Sequence, residues 1–501
     1  MSFAASLAAA QIQPHDSDLL ATLASDALAE GEEGIALPLL ASAAKLARGN
    51  ARLWQWTGLL HRALDEHRDA LKALESAARL APADASIAHG RAHVALEAGV
   101  DAVALFDAAI ALAPSSGEML LGRAAARLAA GEGEQAAAEL DAVLAANPMW
   151  GQGHLQLAQL SAMLGRPEHA MRTIDRALSA RPRDADLWQV AIEILIRADR
   201  FSDLLATTER AAAATGTPTL FGLPRAIALS ELGRGDEAEA VFTALGDPKD
   251  VNHAIRLVRH WLRTGQVSAA LPLIDRWVDC PDNAAMWPYA SIAWRLVKDP
   301  RWQWLEGDPH FVSVHDISDR LPPLDRLAEL LRGLHRAKGR YLDQSVRGGT
   351  QTDGPLLSRI EPDIRVLRAA IVEAVDGHVA QLPSRDSKHP TLSHRRDRRI
   401  RFAGSWSVRL SGEGHHTNHV HPQGWISSAL YIALPHGTAG EEGWLTLGEP
   451  QVELGLDLPP IRRIEPKPGQ LVLFPSTMWH GTLPFAEGER LTVAFDAAPP
   501  R

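Results

Sequence analysis

A repeat of about 34 residues constrains the first half of this chain more than any other feature. Its first marker is a turn residue followed five positions later by a small or apolar helix residue, as in Gly31/Ala36, Asp65/Ala70, Gly99/Ala104, Gly131/Ala136, Gly165/Ala170, Asp199/Leu204, Gly233/Ala238 and Gly265/Ala270. Successive turn residues lie 34, 34, 32, 34, 34, 34 and 32 positions apart. The second marker is a proline where a second helix should stop, at Pro82, Pro114, Pro148, Pro182, Pro218 and Pro248. Two markers in register predict stacked helix pairs and disfavour an Ala-rich bundle without true repetition.

A helix pair with a glycine turn and a terminal proline resembles the tetratricopeptide repeat, and the resemblance covers roughly residues 15 to 285. It implies a curved α-solenoid, with residues 1–298 as one domain, whose groove binds an extended peptide or protein. The alternative is that the array serves only as a scaffold or as an arm that pairs two copies of the chain in a homodimer.

Composition limits the class of protein. A chain of 501 residues is too long for a single hydrophobic core, so two or more structural units are expected. The net charge of -10 argues against a nucleic-acid or anionic-membrane partner. A single cysteine, Cys280, cannot form an internal disulfide. No apolar run approaches a membrane span, and the first residues lack the basic start of a signal peptide, so we expect a cytoplasmic protein.

The composition changes after residue 285. The segment DPRWQWLEGDPHFVSVHDI (299–317) interrupts the repeat, which places a boundary near 300–310 and a second domain at 310–501. Helices are predicted at 324–338 and 362–381. Short alternating strands follow in RIRFAGSWSVRL, WISSALYIAL, GWLTL, GQLVLFPS and RLTVAFDA, which is typical of an antiparallel sandwich or small barrel. The fold class is therefore α+β with more than one domain.

Histidines cluster at two points of the predicted sheet. His419 and His421 lie immediately before one strand, and His480 follows a distant one. Residues i and i+2 of an extended segment point the same way, so His419 and His421 can converge. Imidazoles suit iron, zinc or copper, and a pair with a distant third is the layout of a metal site with open positions. These three are the predicted metal-binding and catalytic residues, whereas His415 and His416 are expected in a solvent-facing loop or, alternatively, as supports behind the metal ligands.

Ten residues beyond His480, Arg490 and Thr492 share one face of a predicted strand. An arginine inside a barrel needs an anionic partner, because an unpaired buried charge is costly. A dicarboxylate cosubstrate fits, bidentate to the guanidinium and hydrogen-bonded by the threonine hydroxyl. Tyr431, on the strand after the histidine pair, is either a further cosubstrate contact or a buried tyrosine bonded to backbone.

With these residues, 310–501 resembles the double-stranded β-helix, or jelly roll, of iron(II)- and 2-oxoglutarate-dependent oxygenases, particularly a bacterial and phage subgroup. The matching features are His419 in an HxH motif, the distal His480, and the Arg490-x-Thr492 pair that binds the C5 carboxylate of 2-oxoglutarate in this family. The resemblance implies Fe(II), 2-oxoglutarate and O2, and a dioxygenase that hydroxylates a peptide or protein. The alternatives are a small-molecule hydroxylase with a scaffolding array, a non-catalytic adaptor with a degenerate barrel, and a cupin-like enzyme that leaves Arg490 unexplained.

One position departs from the family, because His421 stands where a carboxylate ligand is usual. The site is then either three-histidine, or two-histidine with water in place of the carboxylate. Aspartyl/asparaginyl β-hydroxylases lack the carboxylate similarly and also join tetratricopeptide repeats to this barrel. Glu413, Glu441 and Glu442 are alternative carboxylate ligands, although none has the i+2 relation to His419.

Three other features carry open alternatives. The segment RGGTQT (347–352) is expected to be a lid or substrate loop, or merely a turn. Residues 385–401 carry a local charge of +5, which predicts a solvated linker or, alternatively, a docking site for an acidic substrate. Trp54, Trp150 and Trp188 are expected either on the surface of the array or packed between its helices.

Overall fold

Helices fill the first part of the chain in the computed structural model, which describes residues 2–280, 283–437 and 439–500. These helices have ten to fifteen residues, apart from α11 with nine. They are α1 (Phe3–Ile12), α2 (Ser17–Glu30), α3 (Glu33–Leu46), α4 (Ala51–Ala63), α5 (His67–Leu80), α6 (Ala85–Glu97), α7 (Val103–Leu112), α8 (Gly117–Ala129), α9 (Gly133–Ala146), α10 (Gly151–Met163), α11 (Arg172–Ala180), α12 (Ala185–Arg197), α13 (Phe201–Thr215), α14 (Gly222–Glu231), α15 (Gly235–Leu245), α16 (Val251–Arg263), α17 (Val267–Val278) and α18 (Trp287–Leu296).

The predicted turn residues separate the two helices of each pair. All eight have a positive φ, from 56° at Asp199 to 87° at Gly131, a conformation that favours glycine and tolerates aspartate. The helix residue five positions later is fully buried at Ala36 and Ala70. Ala104 is the exception and is exposed. Helix α7 begins four residues after its turn instead of two, so Ala102 and Phe106 take the buried positions.

The second part of the chain combines two helices with nine described strands. A π-helical turn at Gln303–Gly307 precedes it. Its elements are β1 (Ser313–Asp316), α19 (Leu324–Leu334), β2 (Val346–Gln351), α20 (Pro362–Gln381), β3 (Phe402–His416), β4 (Ile426–Ala433), β5 (Leu445–Leu447), β6 (Arg462–Ile464), β7 (Gln470–Pro475), β8 (His480–Thr482) and β9 (Glu489–Ala497). One sheet has the order β1-β7-β4-β9-β3-β2 and the other β6-β5-β8, with antiparallel pairing throughout. The predicted α+β class is confirmed.

Two apolar clusters position the sheets. Helices α19 and α20 pack on the large sheet through residues such as Leu331, Leu367 and Ile371. A second cluster lies between the two sheets and includes Val472 and Phe474 of β7 and Leu445 of β5. Within the described residues, no helix is both long enough and apolar enough to cross a membrane.

The segment RGGTQT was expected to be a loop or turn, and this is wrong. Residues 347–351 belong to β2, which lies at the edge of the large sheet and pairs with β3. The register shifts between Arg347 and Gly349, and Gly348 has a φ of 67°. The glycine pair therefore marks a β-bulge within a strand, which gives the same sequence signal as a turn.

Several turns of the array contact the second part of the chain. Three of these contacts are backbone hydrogen bonds: Ile360 N–H donates to Ala98 O at 3.1 Å, Lys338 N–H to Met163 O at 2.7 Å, and Asp343 N–H to Arg197 O at 2.7 Å. We call the row of loops containing Gly31, Asp65, Gly99, Gly165 and Asp199 the turn edge of the array. This edge is the surface on which the second part of the chain rests.

The basic segment 385–401 is not simply a solvated linker. Arg398 forms an ion pair with Glu32, and Arg401 forms one with the buried Glu33 at the first turn of the array. The local positive charge is thus met by acidic residues of the same chain. Trp188 is buried at 3% exposure and its indole N–H donates to Pro182 O, so it packs between helices.

Candidate metal centre

His419, His421 and His480 converge between the two sheets. One nitrogen of each lies within 4.8 Å of the others, and among the described residues this is the one group of His, Cys, Asp or Glu side chains that could hold a metal. The backbone fixes the geometry, because His419 and His480 exchange N–H···O bonds of 2.9 and 3.0 Å. The sequence prediction placed these three residues together, and the structure brings them together.

Hydrogen bonds to Nδ1 set the orientation of each ring. His419 Nδ1 lies 2.8 Å from Thr417 O, and His480 Nδ1 lies 3.0 Å from Met478 O. A carbonyl only accepts, so both Nδ1 atoms carry the proton and Nε2 is the lone-pair nitrogen. His421 Nδ1 lies 2.6 Å from Asp496 Oδ2. In each ring Nε2 is therefore the nitrogen that can bind a common ligand, and His419 Nε2 also lies 3.2 Å from Ser345 Oγ.

Electrostatics keep His419 and His480 neutral and ready to bind a cation. Burial, together with the neighbouring histidines, holds the pKa of His419 and of His480 well below the usual range. Burial also lowers the pKa of His416 to about 3, with Arg490 as the next cause. Neutral imidazoles are the metal-binding form, so the site favours a metal ion over protons at neutral pH.

Arg490 and Thr492 project from β9 into the same pocket as the triad. Arg490 is buried at 2% exposure, and its Nη1 donates to Gly443 O at 2.7 Å. No carboxylate within the described residues forms an ion pair with it, and its Nε lacks a partner. Burial accordingly lowers the pKa of Arg490. Such a guanidinium is a receptor for an anion.

Tyr431 lies behind this arginine. The Tyr431 side chain is fully buried, and the Arg490 Cζ lies 5.1 Å from its ring centroid, which is a cation–π contact. Burial raises the pKa of the tyrosine hydroxyl, and the neighbouring Arg490 guanidinium opposes this increase. Residue 431 faces Thr492 in the strand register, so the ring supports the arginine and threonine from β4.

Other predicted candidates are distributed differently. His416 is on β3 and lines the pocket, with its ring centroid 5.8 Å from that of His419, so the expected solvent-facing loop is wrong for it. His415 does not line the pocket. Glu413 is exposed, Glu442 is half-buried and accepts from Ala439 N–H at 3.3 Å, and Glu441 pairs with Arg463 at 2.8 Å. None of these three glutamates joins the described triad.

Sequence reasoning missed Asp496. This residue lies on β9 with the same parity as Arg490 and Thr492, so strand alternation directs all three side chains to one face. All three line the pocket. Parity along RLTVAFD was the signal that could have found it. Trp406 was also missed, and its ring stacks on His421 at 5.5 Å and 15°.

A large groove continues from this pocket toward the array. The groove has a volume of about 1250 Å³ and lies between the first repeats and strand β3. It shares Gln344, Gln351 and Trp406 with the metal pocket. Many of its charges are already paired, such as Arg62 with Glu97 and Arg401 with Glu33. The groove therefore presents a polar surface of balanced charge that leads to the triad.

Comparison with known proteins gives a family for each part. Residues 404–496 match the sequence profile of a family described as "putative 2OG-Fe(II) oxygenase", and residues 151–194 match the tetratricopeptide repeat. The second part of the chain thus contains a segment that is similar to that oxygenase family, and the array contains one that is similar to the tetratricopeptide repeat. No curated protein matches the chain.

Among solved structures, MamA is similar at 14% identity, with 34% of this chain and 93% of that chain covered and a TM-score of 0.30. Yeast Tom70 is similar at 16% identity, with 55% and 62% covered and a TM-score of 0.36. A prolyl-4-hydroxylase from Pseudomonas putida is similar at 17% identity, with 41% and 97% covered and a TM-score of 0.26. At these values none of the three carries an argument about the chemistry of this chain.

The oxygenase family implies Fe(II), 2-oxoglutarate and O2. The residues present fit that set. Three imidazoles with Nδ1 already bonded leave nitrogen ligands and open positions for a metal such as Fe(II). The unpaired Arg490 Nε offers a hydrogen bond to a carboxylate in the same pocket.

Proposed function

We propose that this chain is an Fe(II)- and 2-oxoglutarate-dependent dioxygenase that hydroxylates a peptide or protein. Residues 1–298 form the repeat domain and 310–501 the catalytic domain. His419, His421 and His480 hold the iron, and Arg490 with Thr492 binds the far carboxylate of 2-oxoglutarate, supported by Tyr431. One observation carries the proposal: a buried guanidinium without a carboxylate partner lines the same pocket as the histidine triad.

Bound iron and 2-oxoglutarate supply the oxidising chemistry, in which O2 gives one oxygen atom to succinate and one to the substrate while CO2 leaves. The chain supplies position and shielding. The Arg490 guanidinium fixes one end of the dicarboxylate, and Thr492 Oγ1 adds a hydrogen bond. The apolar side chain of Phe474, which packs 4.7 Å from the His480 ring, keeps bulk water from that side of the site.

The cosubstrate assignment is tested by Arg490→Ala. Loss of a buried charge-assisted pair costs about 2 to 5 kcal/mol, so the apparent constant for 2-oxoglutarate should rise well over tenfold. Fe(II) affinity, measured by anaerobic titration, should stay nearly unchanged. Arg409→Ala is the matched control, because Arg409 is a half-exposed arginine on β3 that pairs with Glu489 at the surface. Unaltered 2-oxoglutarate dependence in Arg490→Ala would favour a cosubstrate-independent enzyme.

The metal assignment is tested by His480→Ala and His419→Ala. Each should abolish Fe(II) binding and the formation of succinate from 2-oxoglutarate, because the two remaining histidines bind iron weakly. His415→Ala is the matched control, since His415 lies on β3 outside the pocket. Full activity in His480→Ala would remove the basis for this site.

The groove supports a polypeptide substrate. Its volume of about 1250 Å³ exceeds the roughly 300 to 1,000 Å³ of most small-molecule sites. Gln344 and Gln351 stand where the groove meets the metal pocket, and side-chain amides can pair with both groups of a peptide backbone. A synthetic library of extended peptides should stimulate succinate formation, with gain of one oxygen atom detected by mass spectrometry.

Ala63→Trp would obstruct the groove from the array side, because Ala63 lines it at the end of α4. Peptide-stimulated turnover should fall while basal consumption of 2-oxoglutarate persists. Ala130→Trp, at a turn that does not line the groove, is the control. Equal peptide-stimulated turnover in Ala63→Trp and the control would exclude this route for the substrate.

One observation favours a second candidate, a small-molecule hydroxylase in which the array is a scaffold. The turn edge is occupied by contacts with the catalytic part, including Arg368 with Asp65 at 2.9 Å. A repeat edge used in this way serves the fold of its own chain. Stimulation of turnover by small carboxylic acids or amines, with none from peptides, would support this candidate.

A further inference from the structure

The three histidines of the triad are not held alike. Thr417 O and Met478 O, both backbone carbonyls, fix His419 and His480. His421 alone is fixed by a carboxylate, Asp496 Oδ2 at 2.6 Å from Nδ1. His421 is also the residue that stands at the position where the resemblance predicts a carboxylate ligand. The histidine that replaces the usual carboxylate ligand is therefore the same histidine whose Nδ1 contacts a carboxylate.

The chain holds Asp496 firmly in this place. Ser427 Oγ donates to Asp496 Oδ1 and lies 2.9 Å from Ser476 Oγ, so both carboxylate oxygens are engaged. Asp496 is opposite Ser427 in the register of β9 and β4. A Cβ at Gly424 would approach Asp496 Cβ to 3.0 Å and Ser476 Oγ to 2.6 Å, so only glycine lets the loop pass over this network.

We infer that Asp496 is a positioning residue that acts through His421, so that the His421–Asp496 pair takes the place of the carboxylate ligand. This inference rests on the proposed function. A carboxylate at Nδ1 fixes the tautomer, aims Nε2 at the metal and makes the imidazole a stronger donor. It also brings a negative charge within one hydrogen bond of the ligand ring, which offsets part of the 2+ charge of the metal. Stacking of Trp406 on the ring limits its rotation further.

Asp496→Asn tests the inference with the metal alone as probe. Loss of a residue that orients a metal-binding histidine typically weakens metal affinity by about 10- to 100-fold, so we expect that loss for Fe(II) and Co(II) in anaerobic titrations. The visible absorption of the Co(II) protein should change as well, which a purely structural role would not produce. Thermal unfolding of the metal-free variant checks that it folds.

Ser427→Ala is a graded second variant, since it frees one oxygen of Asp496 but keeps the carboxylate. It should weaken Co(II) binding less than Asp496→Asn does. Ser405→Ala is its matched control, because Ser405 is a buried serine on β3 whose Oγ accepts from Leu357 N–H and does not touch Asp496. Equal effects of Ser427→Ala and Ser405→Ala on Co(II) affinity would count against the inference.

His421→Asp gives the sharpest comparison, because it restores a carboxylate at the ligand position. In the His421→Asp background, Asp496→Asn should lower Fe(II) affinity less than threefold. In the natural chain the same substitution should lower Fe(II) affinity at least tenfold. Two results would overturn the inference: an unchanged Fe(II) affinity in Asp496→Asn, or full affinity in His421→Ala, which would make Asp496 a ligand itself. Loss of binding in His480→Ala with no effect of Asp496→Asn would refute the inference and leave the proposed function standing.

Discussion

The two ends of the contact between array and catalytic part are built differently. At the C-terminal end the cores merge: Trp479 and Leu454 belong to one apolar cluster with Trp287 and Trp294 of α18. At the N-terminal end the contact is ionic, through Arg398 and Arg401, and it borders the open groove. Merged cores resist separation, whereas an ionic rim around a groove leaves room for a substrate. The last repeats thus share a hydrophobic core with the second part of the chain, whereas the first repeats form one side of the groove.

Trp479→Ala should have the largest effect at the merged end. Trp479 is buried, its indole N–H donates to Pro288 O at 2.9 Å, and it precedes the proposed ligand His480. Truncation of a buried tryptophan costs about 3 to 5 kcal/mol of unfolding free energy, measured by urea denaturation. Fe(II) affinity should fall with it. Trp188→Ala, an equally buried tryptophan within the array, should destabilise without a specific loss of Fe(II) binding.

Glu306 makes the merged end sensitive to pH. This carboxyl is buried in the π-helical turn and accepts a hydrogen bond from Ser291 Oγ, and burial raises its pKa from 4.5 to about 7. Because the carboxyl group binds its proton more tightly in the folded state, it stabilises the fold fully at pH values below the unfolded-state pKa. This stabilisation is lost as the pH rises through about 7. From about pH 5 to about pH 8 the loss should be on the order of 3 kcal/mol. Glu306→Gln should flatten this dependence in urea unfolding, and an equally steep profile in the variant would contradict the assignment.

Arg401→Ala should have a smaller effect at the ionic end. It leaves Glu33, which is 1% exposed, as a buried carboxylate without its arginine. An unsatisfied buried polar group costs about 1 to 3 kcal/mol. Added salt should narrow the difference between variant and natural chain only slightly, because buried pairs are screened weakly. If substrate lies in the groove, peptide-stimulated turnover should fall while Fe(II) affinity holds.

Arg399→Ala should have the smallest effect. Arg399 lies 3.6 Å from Glu66, and its side chain is 68% exposed. An exposed pair of this kind contributes little, so the change in unfolding free energy should stay within about 0.5 kcal/mol. A larger change would mean that the ionic end is more tightly coupled than its geometry indicates.

The array could be predicted from sequence because its signal is local and repeated. A left-handed turn residue and a buried alanine recur at fixed spacing, so each unit supports the reading of the next. Strand alternation likewise predicted that Arg490 and Thr492 share a face. The identity of the metal and of the cosubstrate was predicted from the resemblance to the oxygenase family.

Other features depend on pairings between distant segments, which no local pattern encodes. The role of Asp496 requires β9 to lie beside β4 and beneath the His421 loop. The strand at 346–351 looked like a turn because a glycine bulge and a glycine turn share one composition. The partners of the basic segment 385–401 lie more than 330 residues away, at Glu32, Glu33 and Glu66.

The turn edge fixes how many repeats this protein can have. An ordinary solenoid can gain or lose a unit, because each repeat contacts only its neighbours. Here the loops at Gly31, Asp65, Gly99 and Asp199 each contact a different point of the second part of the chain. The last repeats share a hydrophobic core with that part. Insertion of one repeat between them would move every earlier loop out of alignment with its contact. Natural variants of this chain should therefore differ in the surfaces of their repeats and keep the number of repeats constant.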